Sequence, residues 1–489
     1  MRINKESTKD FIFILFSLLF IYIVNELIST LILAPVCLLS IYLLKKEKFN
    51  ALLLLSLLII CVPNTLVFYL NSIALSVYYF FIILFNRNYK FYQSEILLIS
   101  VISIGLISFL FTQIVDPNYL SFFLSFITFT SGFVYFFLFR NVKVDLNKFV
   151  HYIIIICLIQ VLIAYFSYVL PTGFSNIIFR RDATPDQVKG TFYSANSFGF
   201  LCLVSACMTY FKILNAKVGS IYLALFILFM AFSFLADVKS ILIGLVGGLT
   251  LLTLIRVYIK SNTLRRVFLI VIVFTFSLAS MSFLERALKP IVPVLMTYVD
   301  GENNHKYLYM KRTFEGQGRN WLQYLIGTGP GTCGSRAANS RAYDSMYKKE
   351  GSMTLSFLPA KTSPFAEKIL VDLYQYDYAV NSRWRSALLG NPFNSFTAIF
   401  IEFGLVGFLF FMIFHFKALI LALKLELFSP NYKALTTATF LTISSLMVMG
   451  WMDQSYEQPF PMFILMTLSG ITISKFYEAK RANGSSSIL

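Results

Sequence analysis

Residues 149–169 read FVHYIIIICLIQVLIAYFSYV, a stretch that contains no Asp, Glu, Lys or Arg. A helix needs about 20 mostly apolar residues to cross the hydrocarbon core of a bilayer. Stretches of this kind recur along the whole chain, whose 489 residues are 57% hydrophobic and 13% charged, with a mean hydropathy of +0.73. Because soluble domains carry roughly 25% charged residues, the sequence predicts an all-α polytopic membrane protein.

The apolar stretches predict about 14 transmembrane helices. They lie at residues 9–24, 28–44, 50–64, 66–86, 93–113, 119–139, 149–169, 193–213, 218–236, 239–258, 266–284, 394–416, 434–450 and 457–475. The chain is thereby divided into four parts. These are helices 1–11 (residues 1–284), one large and mainly helical loop (285–393), helices 12–14 (394–475) and a tail (476–489).

The distribution of Lys and Arg predicts the orientation of the chain. If the spans alternate, 23 of the 41 Lys and Arg lie on the side of the N-terminus, four lie in short segments on the other side, and 14 lie in residues 285–393. Short loops rich in Lys and Arg stay in the cytoplasm, whereas long loops cross regardless of charge. We therefore expect both termini inside and the large loop outside. The net charge of +17 suits an anionic lipid leaflet and does not indicate nucleic-acid binding.

Two short outer segments carry charges that the positive-inside rule disfavours there. Arg180 and Arg181 could bind a phosphate through bidentate hydrogen bonds. The alternative is that their side chains extend to the membrane surface and contact lipid headgroups. Asp237 and Lys239 lie between two spans near the outer membrane surface. Charged side chains at this depth usually indicate a functional site. The alternative is a short turn in which the two side chains pair with each other or reach water.

The large loop contains an Arg and a Gly-rich run close together. Arg319 and Trp321 precede Gly327-Thr328-Gly329-Pro330-Gly331-Thr332. Glycines permit close approach of the backbone to a ligand, although the run lacks the Gly-Lys-Ser/Thr of a nucleotide-binding loop and reads equally as a turn. His305 is the only His of the loop and a candidate base, or a surface residue. Cys333 is its only Cys, which excludes a disulfide within the loop. The chain shows no metal-binding motif.

The loop ends in the most specific pattern of the chain, which runs from Asn394 to Gly407. Glu402 lies about eight residues into an apolar helix, and an intramembrane carboxylate usually has a partner. We expect a basic or polar group from another span, such as Lys239. Gly404 and Gly407 predict close packing of a second helix.

Taken in order, these motifs resemble the bacterial O-antigen polymerase and ligase superfamily. Residues 189–196 are similar to its Gly-x-Phe-x-x-x-Asn motif at the start of a span. Residues 327–331 resemble its Gly-rich segment, and residues 394–407 resemble its His-Asn…Glu-x-Gly-x-x-Gly helix. Two positions differ, because Lys239 stands where the family has Arg, and Phe393 stands where the ligases have His. The second difference favours a Wzy-type polymerase over a ligase.

The resemblance implies a GT-C-like bundle in the bacterial inner membrane, with a periplasmic large loop. It implies that a hydroxyl of a lipid-linked repeat unit attacks the anomeric carbon of the growing chain and displaces undecaprenyl diphosphate. Basic residues would stabilise the leaving group, and the candidate substrate and diphosphate ligands are Arg180, Arg181, Lys239, Arg319 and Asn394. Candidates for the catalytic base are, in order, Glu402, Asp237 and His305. A diphosphate leaves readily, so neither a metal nor another cofactor is implied.

The implied partners are the undecaprenyl-diphosphate-linked repeat unit, the growing chain, membrane lipids and a chain-length regulator. Two other classes stay open at this point. A ligase would transfer the finished polymer to lipid A–core, and a transporter or flippase would move the same lipid without forming a bond. A flippase should carry ionisable residues through many spans, whereas here they concentrate at the outer face.

Overall fold

The computed structural model describes most of the chain. The described residues are 9–18, 33–61, 65–85, 89, 91–112, 119–140, 144–173, 188–192, 194–215, 220–236, 239–260, 305–341, 362–373, 394–452 and 455–482. Within these ranges the chain forms helices and connecting turns and contains no strand. The all-α expectation is therefore confirmed for this part of the chain.

The helices follow the apolar stretches closely. In the first part of the chain they are α1 (residues 9–18), α2 (Leu33–Lys45), α3 (Phe49–Ile60), α4 (Thr65–Phe85), α5 (Gln93–Thr112), α6 (Tyr119–Thr130), α7 (Phe133–Arg140), α8 (Leu146–Ala164), α9 (Ala195–Asn215), α10 (Ser220–Leu235) and α11 (Lys239–Lys260). The later helices are α12 (His305–Phe314), α13 (Trp321–Ile326), α14 (Arg336–Arg341), α15 (Ser395–Phe428), α16 (Lys433–Met452) and α17 (Pro459–Ala482). The stretch predicted at 266–284 lies outside the described residues.

Seven helices in the described ranges are long and apolar enough to cross a membrane. They are Leu66–Phe85, Gln93–Thr112, Tyr119–Arg140, Leu146–Thr172, Ser395–Phe428, Pro430–Trp451 and Pro459–Ala482. Five shorter apolar helices accompany them, at Leu33–Lys45, Phe49–Ile60, Ala195–Tyr210, Ile221–Leu235 and Gly244–Arg256. This set agrees with a polytopic membrane protein.

Small residues let several of these helices pack closely. A Cβ atom at Gly244 of α11 would lie 2.5 Å from the Cα of Ser445 in α16, and one at Gly248 would lie 3.0 Å from the Cβ of Ser444. A Cβ at Gly470 of α17 would lie 2.9 Å from the carbonyl oxygen of Phe136 in α7. Small residues at such positions allow van der Waals contact between backbones, which holds helices together in lipid.

Charged and polar pairs join helix ends that the Lys and Arg distribution assigns to the inner side. The Arg140 guanidinium contacts the buried Glu95 carboxylate and lies 3.4 Å from the centre of the Tyr92 ring. Arg256 forms a hydrogen-bonded ion pair with Glu426 at 2.7 Å. Further pairs at these ends are His151 with Asp10, Lys212 with Asn147, and Lys417 with Gln93.

Candidate functional site

The helix α15 begins at Asn394, whose side chain caps it. The Asn394 Oδ1 atom accepts a hydrogen bond from the backbone N–H of Thr397 at 2.8 Å, which satisfies one of the free donors of the first turn. Asn394 is fully buried, and its Nδ2 atom has no hydrogen-bond partner among the described residues. The predicted substrate ligand is thus also the residue that starts the helix.

Gly404 interrupts α15 two turns after its start. Its φ of 71° and ψ of 179° are not helical, and a side chain there would be strained as well as blocked by the backbone of residues 325–327. At this interruption the carbonyls of Ile401 and Glu402 accept hydrogen bonds from the backbone N–H groups of Thr328 and Gly329, at 2.8 and 3.0 Å. Gly404 therefore admits the Gly-rich segment, whereas the sequence predicted close packing of a membrane helix.

The Glu402 carboxyl group is fully buried and binds the same segment. Its Oε2 atom accepts from the backbone N–H of Gly331 at 2.9 Å and from the hydroxyl of Ser125 at 2.7 Å. Its Oε1 atom accepts from the N–H groups of Cys333 and Ser335 at 3.2 and 3.3 Å. Ser125 belongs to α6 and is a polar partner from another helix. No Lys or Arg whose side chain the structure describes forms an ion pair with Glu402, and the side chain of Lys239 is not among those described.

The Gly-rich segment, residues 327–335, is enclosed on its other side by α5 and α6. The Thr112 hydroxyl donates to the carbonyl of Thr328, and the Ser121 hydroxyl donates to that of Gly331 at 2.8 Å. The segment is buried along its length. Its glycines therefore permit close approach to the backbone and side chains of neighbouring helices.

The Gly-rich segment leads directly to Arg336, the first residue of α14. The backbone N–H of Arg336 donates to the Oε2 atom of Glu457 at 2.7 Å, and Glu457 is fully buried. The hydroxyl of Tyr69 donates to the carbonyl of Glu457 at 2.7 Å, and the charges of Arg336 and Glu457 both act on that hydroxyl. Arg336 is not among the site residues predicted from the sequence, and its place directly after the Gly-rich run is the signal that could have pointed to it.

The third motif, at residues 189–196, reaches the same turn. The backbone N–H of Thr191 donates to Oε1 of Gln160 at 2.8 Å, which holds the motif to the end of α8. The hydroxyls of Ser194 and Ser197 donate to Oε1 of Gln458, at 3.3 and 2.8 Å. The backbone N–H of Tyr456 donates to the hydroxyl of Ser395 at 3.0 Å. Residues 455–458 therefore contact the start of α15, the residue that follows the Gly-rich segment, and the motif at residues 189–196.

Arg319 lies beside this cluster in an aromatic setting. Its Nη2 atom donates to the carbonyl of Thr313, and its guanidinium lies 5.2 Å from the ring centre of Tyr324 and 5.4 Å from that of Phe400. Its Nε and Nη1 atoms have no hydrogen-bond partner among the described residues. Burial lowers the pKa of the guanidinium, and an arginine stays charged despite this. Phe400 connects Arg319 to the Glu402 helix.

The other predicted site residues are not brought into this cluster by any described contact. Arg180, Arg181 and Asp237 lie outside the described residues. Lys239 and His305 are the first residues of α11 and α12, and the positions of their side chains are not described. Their predicted roles stay predictions.

No known family model matches the chain, and no curated protein matches it.

Proposed function

We propose that the chain is a glycosyltransferase that joins undecaprenyl-diphosphate-linked repeat units into a surface polysaccharide, as a Wzy-type polymerase does. The proposal rests on one observation, the meeting of three motifs that lie far apart in the sequence. The Gly-rich segment contacts Glu402, and Ser194 of the motif at residues 189–196 contacts Gln458, next to the Glu457 that binds the residue after the segment. Nothing about an apolar helical bundle requires these three segments to meet.

The proposal includes the finer architecture. Fourteen spans would place both termini in the cytoplasm and residues 285–393 in the periplasm, at the outer face of a bacterial inner membrane. The three motifs would then lie at the outer end of the bundle, on the side where lipid-linked repeat units are polymerised. The excess of Lys and Arg in the short segments on the side of the N-terminus supports this orientation.

The chemistry is a displacement at an anomeric carbon. A hydroxyl oxygen of the incoming unit forms the new C–O bond while the bond from the anomeric carbon to the diphosphate breaks. The hydroxyl proton passes to a base, for which Asp237 and His305 are better candidates than Glu402, because both oxygens of Glu402 already accept hydrogen bonds. The diphosphate leaves with the bonding electrons.

Arginine and lysine side chains would stabilise the charge on the leaving diphosphate. Arg180, Arg181, Lys239 and Arg319 are the predicted set, and the structure adds Arg336 because of its position between the three motifs. Fixed positive charges aimed at developing negative charge contribute roughly 100- to 1,000-fold to turnover in other enzymes. A chain-length regulator is the proposed protein partner.

The deciding experiment is reconstitution of the purified chain in liposomes with one lipid-linked repeat unit. A ladder of multiples on a gel would establish a polymerase. Transfer to a lipid A–core acceptor without a ladder would establish a ligase, and movement of the lipid between leaflets without bond formation would establish a flippase. Unchanged substrate with folded protein would contradict the proposal.

Within that assay, Arg336→Ala is expected to lower kcat by roughly 100-fold, because a charge aimed at the leaving group is lost. Lys311→Ala is the matched control, since Lys311 is exposed in the same loop and lies 4.0 Å from the exposed Glu315. Its activity should equal that of the parent. Full activity of Arg336→Ala would remove Arg336 from the proposed diphosphate site.

A further inference from the structure

The environment of Glu402 differs from that of a catalytic base. Its carboxyl group is fully buried, and three backbone N–H groups and one hydroxyl donate to its two oxygens. A buried carboxyl group is costly unless hydrogen bonds compensate the lost water. Here the compensating donors come almost entirely from the Gly-rich segment, so the carboxyl group and the segment depend on each other.

We propose that Glu402 is a positioning residue. Together with Glu457 it forms a carboxylate clamp, which we define as these two side chains holding the backbone N–H groups of residues 331–336. The clamp fixes the register of the Gly-rich segment against α15 and thereby fixes the position of Arg336. Its role in turnover rests on the function proposed above, whereas its role in holding the segment does not.

The spacing of the hydrogen bonds supports the clamp. Glu402 takes the N–H groups of Gly331, Cys333 and Ser335, and Glu457 takes that of the next residue, Arg336. Glu402 lies on α15 and Glu457 lies in the turn before α17, and their carboxyl groups accept hydrogen bonds from consecutive parts of one segment. A shift of the segment by one residue would break all four bonds.

The carbonyls exposed by Gly404 add two anchors that need no side chain. Thr328 and Gly329 donate to the carbonyls of Ile401 and Glu402. The segment is therefore held at its beginning by helix backbone, in its middle by Glu402 and at its end by Glu457. This sequence of anchors explains why an acidic residue and a glycine stand two positions apart in an apolar helix.

The clamp requires a carboxylate, which gives a specific test. In Glu402→Gln one oxygen is replaced by an NH2 group. If the NH2 takes the place of Oε1, it faces the N–H groups of Cys333 and Ser335. If it takes the place of Oε2, it faces the N–H of Gly331. Either orientation sets donor against donor, although the side chain keeps its size.

The experiment measures how fast Cys333 reacts with a maleimide in the full chain. Cys333 is fully buried and its N–H is held by Glu402; the other five cysteines, Cys37, Cys61, Cys157, Cys202 and Cys207, are replaced. Burial raises the pKa of the Cys333 thiol to about 12, so the parent should react slowly at neutral pH. The charge of Glu402 also raises this pKa, so rates are measured as a function of pH and compared per thiolate. On that basis Glu402→Gln should react at least roughly tenfold faster, because hydrogen bonds to a charged group are lost.

Glu426→Gln is the matched control, because Glu426 lies on the same helix and pairs with Arg256 far from the segment. Its labelling rate should equal that of the parent. A folded Glu402→Gln protein that reacts as slowly as the parent would overturn the clamp. If Glu402→Gln does not fold, Ser125→Ala decides, since it removes one donor to Glu402 and should raise the rate about fivefold. An unchanged rate would again overturn the clamp.

Activity separates the clamp from the proposed function. If the chain is a polymerase, Glu402→Gln should lower kcat while the pH profile of the remaining activity keeps its shape. Loss of the low-pH limb of that profile, which reports the deprotonation of the catalytic base, would make Glu402 the base and contradict a positioning role. If the parent has no polymerase activity, the proposed function fails, and the labelling rates of Cys333 still decide whether the clamp exists.

Discussion

At the scale of single residues, the sequence draws attention to Glu402 and to the Gly-rich run but does not predict the contacts between them. Glu402 is conspicuous in the sequence because it is an acidic residue within an apolar helix. Its partners are mostly backbone N–H groups of a segment about 70 positions earlier, such as that of Gly331. Backbone donors leave no trace in residue type, so the sequence predicted a basic or polar group from another span, such as Lys239; Ser125 is such a polar group. The sequence does not single out Arg336 for the same reason, because the position of Arg336 depends on that segment.

Gly404 gives a prediction at this scale. Gly404→Ala should lower the free energy of unfolding by more than about 2 kcal/mol, because its left-handed backbone conformation penalises a side chain and because the new Cβ meets the backbone of residues 325–327. The measurement is the midpoint of thermal or denaturant unfolding in detergent. Gly247→Ala is the control, since a Cβ at Gly247 meets no atom within 4 Å. It should be neutral or slightly stabilising. Equal effects of the two changes would contradict the role given to Gly404.

At the scale of helices, the spans were predictable because an apolar run of suitable length has few other uses. The described helices begin and end within a few residues of most predicted spans. Two helices run well past their predicted ends: α15, predicted to end at residue 416, reaches Phe428, and α17, predicted to end at residue 475, reaches Ala482. The predicted end of α15 rests on the charge of Lys417. A charged residue can mark the end of the membrane-spanning part while the helix itself continues. With 34 residues, α15 is about 50 Å long and exceeds a hydrocarbon core of about 30 Å.

The packing of α11 against α16 gives a prediction for a pair of helices. Gly244→Leu should destabilise the protein strongly, because a Cβ at this position would already lie 2.5 Å from the Cα of Ser445 and the two helices would have to separate. Gly247→Leu, three residues away on the exposed face, should fold like the parent. Size-exclusion profiles and unfolding midpoints measure both. A stable Gly244→Leu protein would show that this contact does not hold the helices together.

At the scale of the whole molecule, charge and contacts answer different questions. The count of Lys and Arg concerns loops facing water, whereas hydrogen bonds such as that of Tyr69 to the carbonyl of Glu457 concern the buried ends of helices. The predicted side of the large loop rests on the first of these observations. The meeting of the three motifs rests on the buried contacts. It cannot be predicted from the sequence, because it depends on how the helices pack.

Labelling of introduced cysteines tests the orientation. In a cysteine-free chain, Trp321→Cys should react with a membrane-impermeant maleimide from the outside of intact spheroplasts, because Trp321 is 74% exposed and lies in the large loop. Lys46→Cys, in an exposed turn between α2 and α3, should react only after the membrane is permeabilised. Labelling of Lys46→Cys in intact spheroplasts would contradict the predicted orientation.

The long separation between the Gly-rich segment and Glu402 also has a consequence for biosynthesis. Gly331 and Glu402 are 71 positions apart, and a ribosome adds about 5–20 residues per second. The segment therefore emerges roughly 4 to 14 s before the residue that binds it is made. Its donors have no partner on α15 until that helix has been inserted. Assembly of the three motifs must therefore follow insertion of the last membrane helices, whatever the order in which the first ones fold.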